Sequence, residues 1–264
     1  MASNRNDSQF IEKIVEDVLR KLYLRYPIEL EGEGLVGTDK ICENFELLLS
    51  RNKHNQMPKN VKDVMNLEVI DLHECTQLKN LPDLSKASKL KRMYLTGCES
   101  LLVVHQSVLS PDTLETLMLE RCIKLKNLKS DKRLSSLWNV SINGCTSIRE
   151  FSISSDSMTN FDLSNTGIEK FQSSIRNLQN HTLKYLAISN FRAVLEKQRL
   201  HVLFDGLLSL TRLDLKDCCK ISEFPDNISN LSCLYELRLD GSSIEQLPES
   251  IKHLHFLKVL SIKN

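Results

Sequence analysis

The apolar positions of this chain spell one word, repeated. The pattern L-x-x-L-x-L, with Ile, Val, Met or Phe admitted at the apolar places, begins at Leu67, Leu90, Leu114, Leu137, Met158, Leu183, Leu210, Leu234 and Leu257. Successive starts lie 23, 24, 23, 21, 25, 27, 24 and 23 residues apart. Alternation within the word has a period of two, so in Leu114-Glu-Thr-Leu117-Met-Leu119 the side chains of Leu117 and Leu119 point to one face and Met118 to the other. Each word is therefore a short strand with one face in a core. Three residues after its last apolar position stands a small residue, Cys75, Cys98, Cys122, Cys145, Thr166, Cys218 or Ser242, a column that Phe191 breaks. A second apolar pair, such as Leu78 and Leu81, Leu125 and Leu128 or Ile148 and Phe151, then returns the chain toward the core.

One such unit cannot cover its own apolar face and must bury it against the units before and after. The period falls in the leucine-rich-repeat range, which predicts an α/β repeat architecture. Residues 67–264 form a leucine-rich-repeat solenoid of about nine repeats, with parallel strands on the concave face and the returns on the convex side. At roughly 4.8 Å per strand the ladder is about 40 Å long. A doubly wound sheet would need helical crossovers of a dozen or more residues, and these returns are mostly too short and irregular. The exception is FRAVLEKQRLHVLFDGLL, residues 191–208, which predicts a convex helix.

The first 66 residues differ in kind. Ile11, Ile14, Val15, Val18, Leu19 and Leu22 fall at helical spacing, with Asp7 or Ser8 as the cap. A second amphipathic segment, residues 38–49, carries Ile41, Phe45, Leu48 and Leu49 on one face, and Tyr26-Pro27-Ile28 with a glycine cluster forms the turn-rich connector. Residues 1–50 thus read as a helical leader and 51–66 as a polar linker.

Charge narrows the function. With 35 basic and 34 acidic residues the formal charge is +1, so no general attraction to nucleic acid or anionic membrane is expected. No apolar run reaches the roughly 18 residues of a membrane span, and the N-terminus lacks a signal h-region. The expected location is cytoplasmic, extending to the nucleus. The eight cysteines do not suggest a disulfide framework, since those belong to short secreted chains without a core. The sequons at Asn6, Asn139, Asn180, Asn227 and Asn230 are read as chance matches.

Candidate chemistry is weak throughout. The cysteine column would place its thiols along a line, whereas zinc needs four ligands around one point, so a buried ladder of small residues is expected and no metal. Gly32-Glu-Gly34-Leu-Val-Gly37 matches G-x-G-x-x-G, yet Glu31 and Glu33 would face a pyrophosphate and no apolar strand precedes it. The phosphate-loop word G-x-x-x-x-G-K-[ST] does not occur. The seven histidines are scattered, and the basic run Lys124, Lys126, Lys129, Lys132, Arg133 lies on a return without interleaved aromatics. No catalytic residue and no cofactor is expected: the chain reads as a binding or regulatory module.

NLEVIDLHECTQLKNLPDLSKASKLKRMYLTGCESL, residues 66–101, resembles the first repeats of plant TIR–nucleotide-binding–leucine-rich-repeat disease-resistance proteins, with the I-D-L strand, the L-P-D-L-S turn and L-x-G-C-E-S-L in order. LRLDGSSIEQLPESIKHLHFLKVL, residues 237–260, is similar to distal repeats of that family. FIEKIVEDVLRKL, residues 10–22, resembles the helix after the TIR domain, and LVGTDKICENFELLL, residues 35–49, the start of the nucleotide-binding domain. In that family the Val-Gly matching Val36 and Gly37 meets the adenine. Here the phosphate loop is missing, and so is a TIR domain with its NAD-cleaving activity. The resemblance implies a truncated member, acting as a protein-interaction module in plant defence. Its implied partner is a pathogen effector, the receptor's own nucleotide-binding region or a host guardee. The rival reading is an adaptor presenting substrates to a separate enzyme such as a ubiquitin ligase.

Recognition is expected on the concave strand face, whose outward positions can vary without disturbing the core. They include His73, Tyr94, Met118, Glu120, Trp138, Tyr185, Arg212 and Arg238, a set rich in the aromatic and arginine side chains that dominate interface hot spots.

Overall fold

The computed structural model describes residues 67–81, 83–168, 182–191 and 197–263. The expected leader and linker lie outside the described residues, as do Val36 and Gly37. In chain order the strands are β1 (Val69–Asp71), β2 (Arg92–Tyr94), β3 (Thr116–Met118), β4 (Asn127–Leu134), β5 (Asn139–Ser141) and β6 (Glu150–Ser155). Then follow β7 (Asn160–Asp162), β8 (Tyr185–Ala187), helix α1 (Lys197–Gly206), β9 (Arg212–Asp214), β10 (Glu236–Arg238) and β11 (Val259–Ser261). Every repeat word yields one strand of a single parallel sheet, ordered β1-β2-β3-β5-β7-β8-β9-β10-β11.

Register in this sheet never slips. Ile70 stands opposite Met93, Met93 opposite Leu117, Leu117 opposite Val140, and so on to Leu237 opposite Leu260. The middle residues Ile70, Met93, Leu117, Val140, Phe161, Leu186, Leu213 and Leu237 are all buried, and so are the apolar residues two places later, from Leu72 to Leu239. The period-two alternation thus fixes which side of each strand enters the core.

A left-handed residue ends each of the first eight rungs: Glu74, Gly97, Arg121, Gly144, Asn165, Asn190, Asp217 and Gly241 have φ between 50° and 78°. That turn sends the next residue inward, and the cysteine column fills the place. Cys98 Sγ donates to the Leu72 carbonyl at 3.1 Å, Cys122 to Leu95 at 3.2 Å, Cys145 to Leu119 at 3.0 Å and Cys218 to Ile188 at 3.1 Å. Each acceptor is the last apolar strand residue of the preceding repeat. Four cysteines of the column thus serve as donors as well as small fillers, whereas the buried Ser242 hydroxyl has no hydrogen-bond partner among the described residues. Thr166 donates within its own repeat, to the Leu163 carbonyl at 2.8 Å. Burial raises the Cys98 thiol to about 12 and the Cys218 thiol to about 11, so both stay protonated donors.

The convex side departs from expectation in one place. Two returns expected to be irregular, 127–134 and 150–155, are the parallel strands β4 and β6, paired from Asn127 opposite Glu150 to Leu134 opposite Ser155 with a register shift between Lys129 and Arg133. Leu128, Leu134, Phe151 and Ile153 turn into the core and anchor the pair. The basic run lies here, on the convex side as expected. It is partly neutralised: Lys129 pairs with Glu150 and Arg133 with Asp156. The expected convex helix is present as α1, which buries Leu200, Leu203 and Phe204; residues 192–196 are outside the described ones.

Candidate functional site

Because the strands are in register, the outward positions on either side of each buried middle residue form columns across the sheet. At the N-terminal end Asp71, His73 and Tyr94 form one group. His73 Nδ1 lies 2.5 Å from Asp71 Oδ1, and its ring stacks on Tyr94 at 5.5 Å with a 23° interplanar angle. The hydrogen bond to Asp71 raises the His73 pKa above its ordinary value, against the opposing effect of burial. Burial pushes Asp71 upward, but the His73 ring and backbone N–H outweigh it and the carboxyl ends below its usual range.

The middle of the face is polar and acidic. Glu120 accepts from Ser141 Oγ at 2.9 Å, and Asp162 accepts from the Ser164 N–H at 2.8 Å and from Asn143 Nδ2 at 3.2 Å. Burial, aided by the charge of Glu120, raises Asp162. Met118 is half-buried beside this group, and Trp138 stands exposed one residue before β5.

Toward the C-terminal end, Asn160, Tyr185, Arg212, Leu213, Asp214, Glu236 and Arg238 line a depression of about 310 Å³. Arg238 Nε sits 2.5 Å from Glu236 Oε1, and its Nη1 lies 3.9 Å from Asp214 Oδ2. Arg212 Nε lies 3.6 Å from Glu236 Oε2. Burial, with the charges of Asp162 and Asp214, raises the Tyr185 phenol to about 12, so it is a neutral hydroxyl at physiological pH.

No family model matches the chain. Protein SUPPRESSOR OF npr1-1, CONSTITUTIVE 1 of Arabidopsis thaliana is 40% identical over 212 residues, 80% of this chain and 14% of that protein. Disease resistance protein RPP5 of the same plant is 35% identical over 234 residues, 88% of this chain and 15% of RPP5. The chain is a homologue of the plant TIR–nucleotide-binding–leucine-rich-repeat disease resistance proteins. It spans about one seventh of the length of these two relatives. Among solved structures, human 5T4 overlays at a TM-score of 0.51 with 16% identity, covering 76% of this chain and 78% of that one, a likeness of fold alone.

In this disease resistance homologue, of the eight residues named from the sequence, Tyr94, Met118, Tyr185, Arg212 and Arg238 flank the buried middle residues of their strands, His73 and Glu120 follow β1 and β3, and Trp138 stands just before β5; the eight do not form one site. Asp71, His73 and Tyr94 cluster at one end, Tyr185, Arg212 and Arg238 share the C-terminal depression, and Met118, Glu120 and Trp138 lie between. Sequence reasoning missed Asn160, Asp214 and Glu236, which line the same depression. The signal was present: Glu236 precedes the buried Leu237 as Arg212 precedes Leu213, so both fall in one column. Selecting hot-spot residue types passed over the carboxylates that hold those types in place. Among the described residues no helix is long and apolar enough to cross a membrane.

Proposed function

We propose that this chain is a protein-recognition module of a plant intracellular immune receptor, working by binding rather than catalysis in the cytoplasm and the nucleus. Its concave strand face engages a pathogen effector, or restrains the receptor by holding its nucleotide-binding region or a host guardee. The observation carrying this reading is the strand grid itself: every middle side chain from Ile70 to Leu237 is committed to the core, so the outward columns are free for recognition. Homology to disease resistance proteins supports the setting.

The test is a pulldown of candidate effectors and full-length receptors with the whole chain, followed by alanine substitution. Trp138→Ala should weaken a captured partner by about 1–3 kcal/mol while the melting temperature stays unchanged, since its side chain lies outside the core. Loss of binding through the convex run Lys124–Arg133, with the concave set silent, would overturn the assignment.

A further inference from the structure

The concave face carries charge in two different states. Over β8, β9 and β10 the acids lie low and the cations stand proud. The side chains of Glu236 and Asp214 are 13% and 16% exposed, whereas those of Arg212 and Arg238 are 62% and 43% exposed. The two carboxylates are also occupied. Asp214 Oδ1 accepts from Ser189 Oγ at 2.7 Å and from the Lys216 N–H at 3.1 Å, and its Oδ2 faces Arg238. Glu236 gives one oxygen to each arginine. Arg212, by contrast, meets its acid only through Nε, and its two terminal nitrogens have no hydrogen-bonding partner among the described residues. Lys184, one residue before β8, and Lys258, one residue before β11, are exposed as well.

An approaching group therefore meets guanidinium before it meets carboxylate. A guanidinium presents its remaining N–H groups as a planar fork that matches the two oxygens of a carboxylate. Glu236 holds Arg238 at hydrogen-bond distance and draws Arg212 to 3.6 Å as an ion pair, which restricts the arginines in advance and limits the side-chain entropy lost on binding. Asn160 and the neutral Tyr185 line the same depression and add polar contacts without a further negative charge.

We propose that the depression between β8, β9 and β10 is a carboxylate subsite, taking an aspartate or glutamate side chain of a protein partner between Arg212 and Arg238. This rests on the concave face being the recognition surface. It assigns this end of the face to an acidic segment, with Glu236 as the positioning residue for both arginines.

End-blocked hexaglutamate, hexaglutamine and hexalysine, a hexaglutamine with a free C-terminal carboxylate, and inorganic phosphate are titrated into the full chain. Arginine Nε–Hε and backbone amide resonances are followed by NMR. The expected result is that hexaglutamate alone shifts Arg212, Arg238 and the β8–β10 amides, and that Arg212→Gln weakens it at least tenfold. Glu236→Gln should broaden the arginine resonances and weaken the peptide too. Arg212 is an exposed side chain, so Arg212→Gln reports even where changes at Arg238 or Glu236 disturb the fold. Binding of hexalysine at these residues, equal saturation by phosphate or by the free C-terminal carboxylate, no localised shift, or undiminished binding in Arg212→Gln would each overturn the subsite. Should hexaglutamate fail while Trp138→Ala still abolishes capture of a partner, the subsite falls and the concave reading stands. If hexaglutamate binds while the whole concave set leaves partner capture untouched, the subsite's assignment to partner recognition falls with that reading.

Discussion

Phe161→Ala is the substitution that tests the stacking argument most sharply. Phe161 is the middle residue of β7, fully buried between the rungs of Val140 and Leu186, and its ring lies 5.0 Å from that of Phe151. Truncating a buried phenylalanine to alanine costs about 3–5 kcal/mol, part of it the lost ring pair. Domains are stable by only about 5–15 kcal/mol, so the loss is a large share of the whole. In a solenoid the damage is not spread evenly, because each repeat touches only its neighbours. The β5–β7 and β7–β8 junctions should fail first. Trp138 reports on the former: it is the sole tryptophan, and its carbonyl accepts the N–H groups of Thr159 and Asn160, both at 2.9 Å. In urea, the fluorescence transition of Phe161→Ala should fall to lower denaturant than the far-ultraviolet circular dichroism transition, with a shallower slope for the latter. Leu260→Ala, at the same strand position but 44% exposed where Leu237 is 0%, is the control and should cost about 1 kcal/mol or less. Equal losses for the two variants, or coincident probes in Phe161→Ala, would refute local stacking as the source of stability.

The thiols make a second case. In the native chain a bulky thiol reagent, mapped by peptide mass, should label the exposed Cys219 and Cys233 quickly and leave Cys98, Cys122, Cys145 and Cys218 unmodified; fast labelling of Cys122 would remove the donor ladder. By NMR titration the His73 ring should have a midpoint above its ordinary 6.5, falling back toward it in Asp71→Asn. The stability this raised value brings is complete below about 6.5 and disappears as pH rises through the folded midpoint, while the Asp71 share is lost as pH falls through its lowered value. A flat comparison of His73→Ala with the parent across both windows would contradict the pairing. Gly144→Ala should cost about 1–2 kcal/mol in chemical denaturation, because φ is +77° there, and Gly144→Asn less, as asparagine tolerates that region.

All nine rungs of the sheet can be read from the chain, because the period-two word sets both the existence of each strand and its inward side. The helix at 197–206 follows equally from its length. The β4–β6 pair was harder to see, since Lys129-Ser-Asp-Lys-Arg133 interrupts the alternation, yet Leu128 and Leu134 are an even number of places apart, as are Phe151 and Ile153. The cysteine column was legible as buried and small, but not as a set of donors, because the carbonyl each thiol meets belongs to a different repeat, 26 to 30 residues away. The candidate site was legible by face and not by grouping. Column membership follows from the word, whereas the pairing of Arg212 and Arg238 with Glu236 depends on rotamers that no spacing rule predicts.

The second small sheet has a mechanical consequence. A solenoid bends when the outer edges of its coils are spaced more widely than the inner ones. Where β4 and β6 back the ladder, both edges are clamped at the same strand-to-strand distance of about 4.8 Å, so that stretch should run nearly straight and resist flexing. Behind the rungs of β8 and β9 the outer edge is instead occupied by α1, and a helix is about 10–12 Å across. Among the described coils, the one backed by α1 should therefore curve more than the stretch backed by β4 and β6, and it lies beside the arginine depression. A partner seated there would bridge rungs whose outer edges are splayed, and its grip would depend on that local curvature.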